Sequence, residues 1–322
     1  MNKKLENMKA SKIILAACLG VMFFTSQNVK AQYDAMFTQY MFNEMFINPA
    51  YAGSKDAMQV TALHRQQWVN FPGRPITSTF SMNGPVINDK MGIGLSFLNE
   101  QIGSLNRNLA YLSYSYKIKA GKNGHLAFGL MGGVHNMVNK FASLKAVDAG
   151  DIQVSQNSPS VYAPNFGFGL YYSDKVNYVG LSIPRMIDDQ IKFNDNGDLL
   201  KSNKMSPQKF HYYLTLGRVF TLTDNLKLKG QAMIKAVQNA PLQYDLNANF
   251  LIKERIWAGV SYRSGDAASA ILGVQINPQF VVSYSYDYTL SKIQKYSAGS
   301  HEIVLSYVFK YKGKNIVTPR YF

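Results

Sequence analysis

From Met58 to Phe309, apolar and polar side chains alternate one by one in stretches of about eight to twelve residues separated by turn residues, which is the period of a β-strand with two unlike faces. Ala110, Leu112, Tyr114, Tyr116 and Ile118 share one face, with Tyr111, Ser113, Ser115 and Lys117 on the other. Tyr244, Leu246, Ala248 and Phe250 oppose Gln243, Asp245, Asn247 and Asn249 in the same way. Phe280, Val282, Tyr284, Tyr286 and Tyr288 face away from Val281, Ser283, Ser285 and Asp287, as Ile303, Leu305, Tyr307 and Phe309 do from Glu302, Val304, Ser306 and Val308. About fourteen such segments follow one another, and an even number returns both ends of a barrel to one side. They begin near Met58, Arg74, Met91, Leu105, Gly124, Pro164, Val176, Gln208, Leu226, Gln243, Arg255, Ala267, Gln279 and Gly299.

The connections sort by parity. Asn83 to Lys90, Ala120 to Asn123, Ser173 to Lys175, Thr221 to Asn225, Lys253 with Glu254, and Asn277 with Pro278 are compact. The connections between them are often longer, as at Asn139 to Ala163, Pro184 to Pro207 and Thr289 to Ala298. Outer-membrane barrels have short periplasmic turns and longer outer loops, whereas a soluble sandwich has no reason to sort its loops. In hydrocarbon every backbone group must be paired, so a greasy alternating sheet gains by closing on itself. The fold expected is all-β: a transmembrane antiparallel β-barrel of about fourteen strands, its apolar faces turned to outer-membrane lipid.

Hydrophobic residues make up 47% of the 322-residue chain, yet past the leader no run of about eighteen apolar residues occurs, so a helical membrane protein is excluded. Aromatics at 13% suit girdles at the two membrane interfaces. The net charge of +15 is spread as single cations without a basic block, which argues against a nucleic-acid partner.

Residues 1–31 read as a cleavable signal peptide: Lys9 and Lys12, an apolar stretch from Ile13 to Phe24, then Val29-Lys30-Ala31 as a small-residue cleavage site. Leu15-Ala16-Ala17-Cys18 resembles a lipoprotein box, but cleavage there would strand Leu19 to Phe24 outside the signal. Residues 32–56 then form an N-terminal periplasmic segment or plug, residues 57–310 the barrel, and residues 311–322 a basic periplasmic tail. In the N-terminal segment Phe37, Tyr40 and Met41 lie at helical spacing before Asn48-Pro49 ends any helix. With Tyr51, these residues are the candidate partner-binding set.

No catalytic residues, cofactor site or metal site are expected. His64, His125, His135, His211 and His301 lie far apart with no metal-ligand spacing. Gly92-Ile93-Gly94 and Gly167-Phe168-Gly169 fall inside strands, where glycine allows bending or close packing and not phosphate binding. Asn194-Asp195-Asn196-Gly197-Asp198 has calcium-loop character without the closing glutamate, so a plain turn is the simpler reading. The polar phases do place Arg65, Lys235, Asp245, Arg263, Asp287 and Glu302 in the lumen, where opposite charges would bridge and narrow it.

Gln39-Tyr40-Met41-Phe42-Asn43, Asn48-Pro49-Ala50-Tyr51-Ala52-Gly53-Ser54, His64-Arg65-Gln66-Gln67-Trp68, Pro164-Asn165-Phe166-Gly167-Phe168-Gly169, Trp257 to Arg263 and Gly299-Ser300-His301-Glu302-Ile303 together resemble the PorP/SprF membrane proteins of the type IX secretion system of Bacteroidota. Arg74 before Pro75 departs from that pattern in one outer loop. The resemblance implies an outer-membrane role in exporting or attaching cargo, such as adhesins with a C-terminal sorting domain. It also implies links to gliding motility and to periplasmic peptidoglycan-binding and ring components. The competing class is a passive porin-like channel or small-molecule transporter, for which an open polar eyelet would be expected.

Overall fold

The computed structural model describes residues 35–55, 57–86, 89–144, 156–187, 191–193, 199–201 and 205–309. The expected signal peptide with Cys18, the calcium-like stretch Asn194 to Asp198 and the basic tail 311–322 lie outside the described residues.

The alternating segments become strands β1 (Gln59–Gln66), β2 (Ile76–Pro85), β3 (Met91–Ile102), β4 (Leu105–Ala120), β5 (Gly124–Asn139), β6 (Val161–Ser173) and β7 (Asn177–Ile183). After a two-strand hairpin of β8 (Ile191–Phe193) and β9 (Leu199–Lys201) come β10 (Tyr212–Thr223), β11 (Leu226–Ala236) and β12 (Gln243–Ile252). The series ends with β13 (Ile256–Arg263), β14 (Ala267–Asn277), β15 (Phe280–Thr289) and β16 (Ser300–Val308). All but β8 and β9 form one closed antiparallel barrel of fourteen strands, as the alternation predicts. It closes where β1 pairs with β16, Gln59 opposite Val308 and Gln66 opposite His301.

The faces divide as the pattern requires. Leu112 and Leu272 are each 63% exposed and Val260 62%, a degree of exposure for large apolar side chains that calls for lipid rather than water. Exposed aromatics flank this band, with Tyr162, Tyr212, Tyr262 and Tyr288 toward one rim and Tyr116, Phe128, Phe220 and Phe250 toward the other. The polar phases point inward and are buried.

Turns 86–90, 121–123, 174–176, 224–225, 253–255 and 278–279 share one rim with the start of β1 and the end of β16; as the short-turn rim it is the periplasmic one. The outer rim is mixed. The strand ends that flank the long connections, Asn139 and Val161, Ile183 and Tyr212, and Thr289 and Ser300, lie there, but so do tight turns at Gly103-Ser104 and Ser264 to Asp266.

The wall is uneven beside β6. Only Phe168 to Ser173 pair with β7, so the outer half of β6 has a strand neighbour on the β5 side alone. This edge is blunted. Pro164 offers no N–H, and the Phe166 N–H, of the same parity, is taken up by the Asn165 side-chain oxygen at 2.9 Å. That oxygen also accepts the N–H groups of Met186 and Ile187, while Asn165 Nδ2 donates to Ile187 O at 2.9 Å.

Residues 35–55 run through the lumen. Thr38 meets Asp287 and Glu302 at the outer ends of β15 and β16. Gly53 bonds Asn83 and Lys117 at the periplasmic ends of β2 and β4. The segment therefore descends from the outer rim to the periplasmic rim before β1 turns back upward, and residue 35 lies on the opposite side from the barrel's own ends.

The expected helix is replaced by three short 3-10 turns, Tyr40–Phe42, Glu44–Phe46 and Pro49–Tyr51. Asn48-Pro49 opens the third turn instead of ending a helix: Asn48 Oδ1 accepts the Ala50 N–H at 2.9 Å and Pro49 takes the first position. The wall supplies partners that a helix would have found in itself. Ser182 donates to Ile47 O, Ser115 to Ala52 O and Lys117 to Gly53 O, each at 2.6 Å.

This path has a cellular consequence. With Ala35 replaced by cysteine, a membrane-impermeant maleimide added to intact cells should label the protein, whereas Lys122→Cys at the periplasmic rim should react only after the envelope is opened. Equal protection of both sites in intact cells would refute the orientation.

Candidate functional site

Arg65 and Glu302 stand directly opposite each other across the β1–β16 seam. Arg65 Nη1 lies 3.0 Å from Glu302 Oε2 and Nη2 lies 2.6 Å from Asp287 Oδ2 on β15, so one guanidinium joins three strands. All three side chains are almost wholly buried. The plug completes the cluster: Thr38 and Gln39 donate consecutive backbone N–H groups to the two oxygens of Glu302 at 2.9 and 2.7 Å. Thr38 Oγ1 accepts from Arg65 Nη1 at 2.9 Å and donates to Asp287 Oδ2 at 2.7 Å. Hydrogen bonds to ionised groups are the strong ones, worth about 1.5–3 kcal/mol each.

A second cluster begins one residue earlier on the plug. Arg263 Nη2 donates to Phe37 O at 2.9 Å, while Nε bonds Asp245 Oδ1, its opposite residue on β12, at 2.8 Å. Asp266 lies 3.3 Å from Nη1 of the same arginine. Adjacent plug residues thus join the Arg65 and Arg263 clusters. Lys235 joins neither: its Nζ is buried without a hydrogen-bond partner among the described residues, 5.7 Å from the centre of the Tyr213 ring.

The six N-terminal residues expected to meet a partner, Phe37, Tyr40, Met41, Asn48, Pro49 and Tyr51, are all buried in the barrel. Their neighbours are the wall. Phe37, Tyr40 and Ile47 join Leu98, Leu109, Tyr111, Met131, Tyr213 and Met233 in one apolar cluster. Tyr51 meets Tyr171 edge-on at 5.6 Å, and Phe42 meets Trp257 at 6.5 Å. Asn48 Nδ2 donates to Leu170 O at 2.9 Å.

Three further lumen groups were not singled out by sequence. Glu100 pairs with Arg107 across β3–β4, and Tyr111 bonds His135 across β4–β5. All four lie on inward phases, a signal available in the alternation, although which inward residues meet depends on register. Glu44 is the third, and its burial in a plug could not be read from strand rhythm.

Heat stability can be read as the temperature at which gel mobility shifts. Arg65→Met leaves Asp287 and Glu302 buried without their cation, a loss on the order of 3–5 kcal/mol. It should lower the same transition sharply, more than Lys227→Met at the partly exposed Lys227–Glu254 pair of the periplasmic rim.

A closed strand ring with an apolar outer belt, a charged lumen and its own segment lodged inside defines a plugged β-barrel of the outer-membrane type. The sequence profile described as type IX secretion system membrane protein PorP/SprF matches residues 29–307. The chain belongs to the PorP/SprF family. No curated protein matches the sequence. Among solved structures, the toluene transporter TbuX of Ralstonia pickettii superposes with a TM-score of 0.50 at 10% identity, over 84% of this chain and 94% of that one. The CymD monoaromatic hydrocarbon channel gives 0.50 at 11% identity over 88% and 95%. A FadL homologue of Pseudomonas aeruginosa gives 0.47 at 13% over 88% and 97%. At such identities the likeness extends to the barrel fold alone.

Proposed function

We propose that this protein, exported through its signal peptide and embedded in the outer membrane, supports export or surface attachment of cargo by the type IX system, as a non-enzymatic component. The cargo would be secreted proteins or adhesins with a C-terminal sorting domain, engaged at the outer rim. The periplasmic rim would meet peptidoglycan-binding and ring components, with a link to gliding motility. Family membership supports the secretion role. The observation that favours it over a porin-like channel is the lumen itself: residues 35–55 occupy it from rim to rim, fastened by charge-assisted bonds at the outer end and by Ser115, Lys117 and Asn83 at the other. A filled lumen leaves the rims as the surfaces on which partners can act.

Two measurements test this. Purified protein in a planar bilayer should leave conductance at baseline; steady open-channel current would favour the passive-channel reading. Affinity capture from gently solubilised envelopes should bring down secreted proteins with C-terminal sorting domains and periplasmic ring components. Recovery of abundant porins alone would overturn the secretion role.

A further inference from the structure

Beside the outer end of the plug one space between it and the wall stays open. A cavity of about 670 Å³, counted with its open mouth, lies between Phe37 and Tyr40 of the plug and the outer halves of β3, β4, β10, β11 and β12. Its polarity is graded. Leu109, Met131 and Met233 make an apolar depth, whereas Lys235 and Gln243 lie at the outer ends of β11 and β12.

Lys235 is the group that lacks an explanation. It is only 4% exposed, lines this cavity, and its Nζ has no hydrogen-bond partner among the described residues. The nearby anion, Asp245, is engaged by Arg263 at 2.8 Å, and the Tyr213 ring presents a π face to Lys235 Nζ at 5.7 Å. Tyr40 also lines the cavity and is 1% exposed, and its Oη is a second donor without a partner among the described residues. A buried ammonium and a buried phenol that both lack acceptors are costly, and an anion placed between apolar walls and these donors offsets that cost. Apolar walls with a few polar groups are typical of a small-molecule pocket, and the site is too small for a folded partner.

We propose that this cavity binds a small amphipathic monocarboxylate, its apolar chain against Leu109, Met131 and Met233 and its carboxylate accepting hydrogen bonds from Lys235, with Tyr40 as a second donor. The ligand class follows from the gradient: a neutral hydrocarbon leaves the ammonium unpartnered, and a small inorganic anion leaves the apolar depth empty. This reading is independent of the secretion role, since the pocket can be tested on purified protein without any partner.

Octanoate and octanol, matched in chain length and differing in charge, are the probes. In equilibrium dialysis against protein in nanodiscs, with empty nanodiscs as the blank, octanoate should bind saturably at one site and at least tenfold more tightly than octanol. Lys235→Met should abolish that preference by weakening octanoate at least tenfold while leaving octanol unchanged. Tyr40→Phe should weaken octanoate by a smaller factor. Met233→Trp, which fills the apolar depth, should remove binding of both. Absence of saturable octanoate binding above the blank, or equal affinity of wild type for the two probes, would overturn the proposal, and neither result depends on any variant folding. Retained preference in an assembled Lys235→Met would overturn the assignment of the carboxylate to that residue.

Discussion

Arg65 sits where the two ends of the strand series meet, and much of the molecule is organised around it. A sheet in hydrocarbon has to close, because an unpaired edge would leave a row of backbone groups without partners, and here closure joins the first strand to the last. That pairing spans nearly the whole chain, so it carries the largest loop-closure entropy of any in the barrel. One guanidinium ties β1 to β16 through Glu302 and to β15 through Asp287, while its Nη1 also donates to Thr38 Oγ1 of the plug. Barrel closure and plug docking are thus satisfied by the same buried charges. Neither carboxylate is matched without the arginine, and Glu302 would lack its two N–H donors without the plug.

The barrel was legible because period two says which side of each strand is greasy, and lipid outside with packed lumen inside is a simple rule for using that information. Strand starts read from the sequence near Met91, Leu105, Gly124, Leu226, Gln243 and Ala267 coincide with those of the structure. The largest displacement is at Gln208, where Pro207–Lys209 forms a 3-10 turn and β10 begins at Tyr212. Inward placement of Arg65, Asp245, Arg263, Asp287 and Glu302 follows from phase. Their partition into two clusters does not, because it depends on register and on Phe37 and Thr38 reaching them. The path of the N-terminal segment was hidden for a related reason: a segment whose backbone bonds go to the wall has no internal period to announce it.

The Pro164 to Gly169 string shows how a motif can be seen without its purpose being readable. Proline inside a strand demotes it to an edge, yet β6 has neighbours on both sides in its periplasmic half. Both statements hold once β7 is known to end at Ile183. Proline and the Asn165 cap fall in the half that lost its neighbour, and Asn165 at the same time gathers the start of the following outer connection. The defect in the wall is handled locally by two consecutive side chains, without a further strand.

The interior glycines bear on whether the plug is a gate. Gly92, Gly129 and Gly169 face the lumen, and a β-carbon at these positions would collide with Ala52 O, Ala50 N and the Asn48 side chain respectively. Glycine within a strand costs roughly 0.5–1 kcal/mol relative to alanine, so a wall meant to stand without the plug gains nothing from this track. With the plug in place the track lets backbone approach backbone, and Phe37, Tyr40, Met45, Ile47 and Tyr51 of the segment are buried, about 1.5–3 kcal/mol for each large side chain. Those terms act together with the bonds to Glu302, Asp287 and Arg263, so releasing the segment would forfeit most of them at once. A gate is drawn from the weakly held parts of a fold, and this segment is among the best held. The plug therefore belongs to the barrel's core and is not its gate.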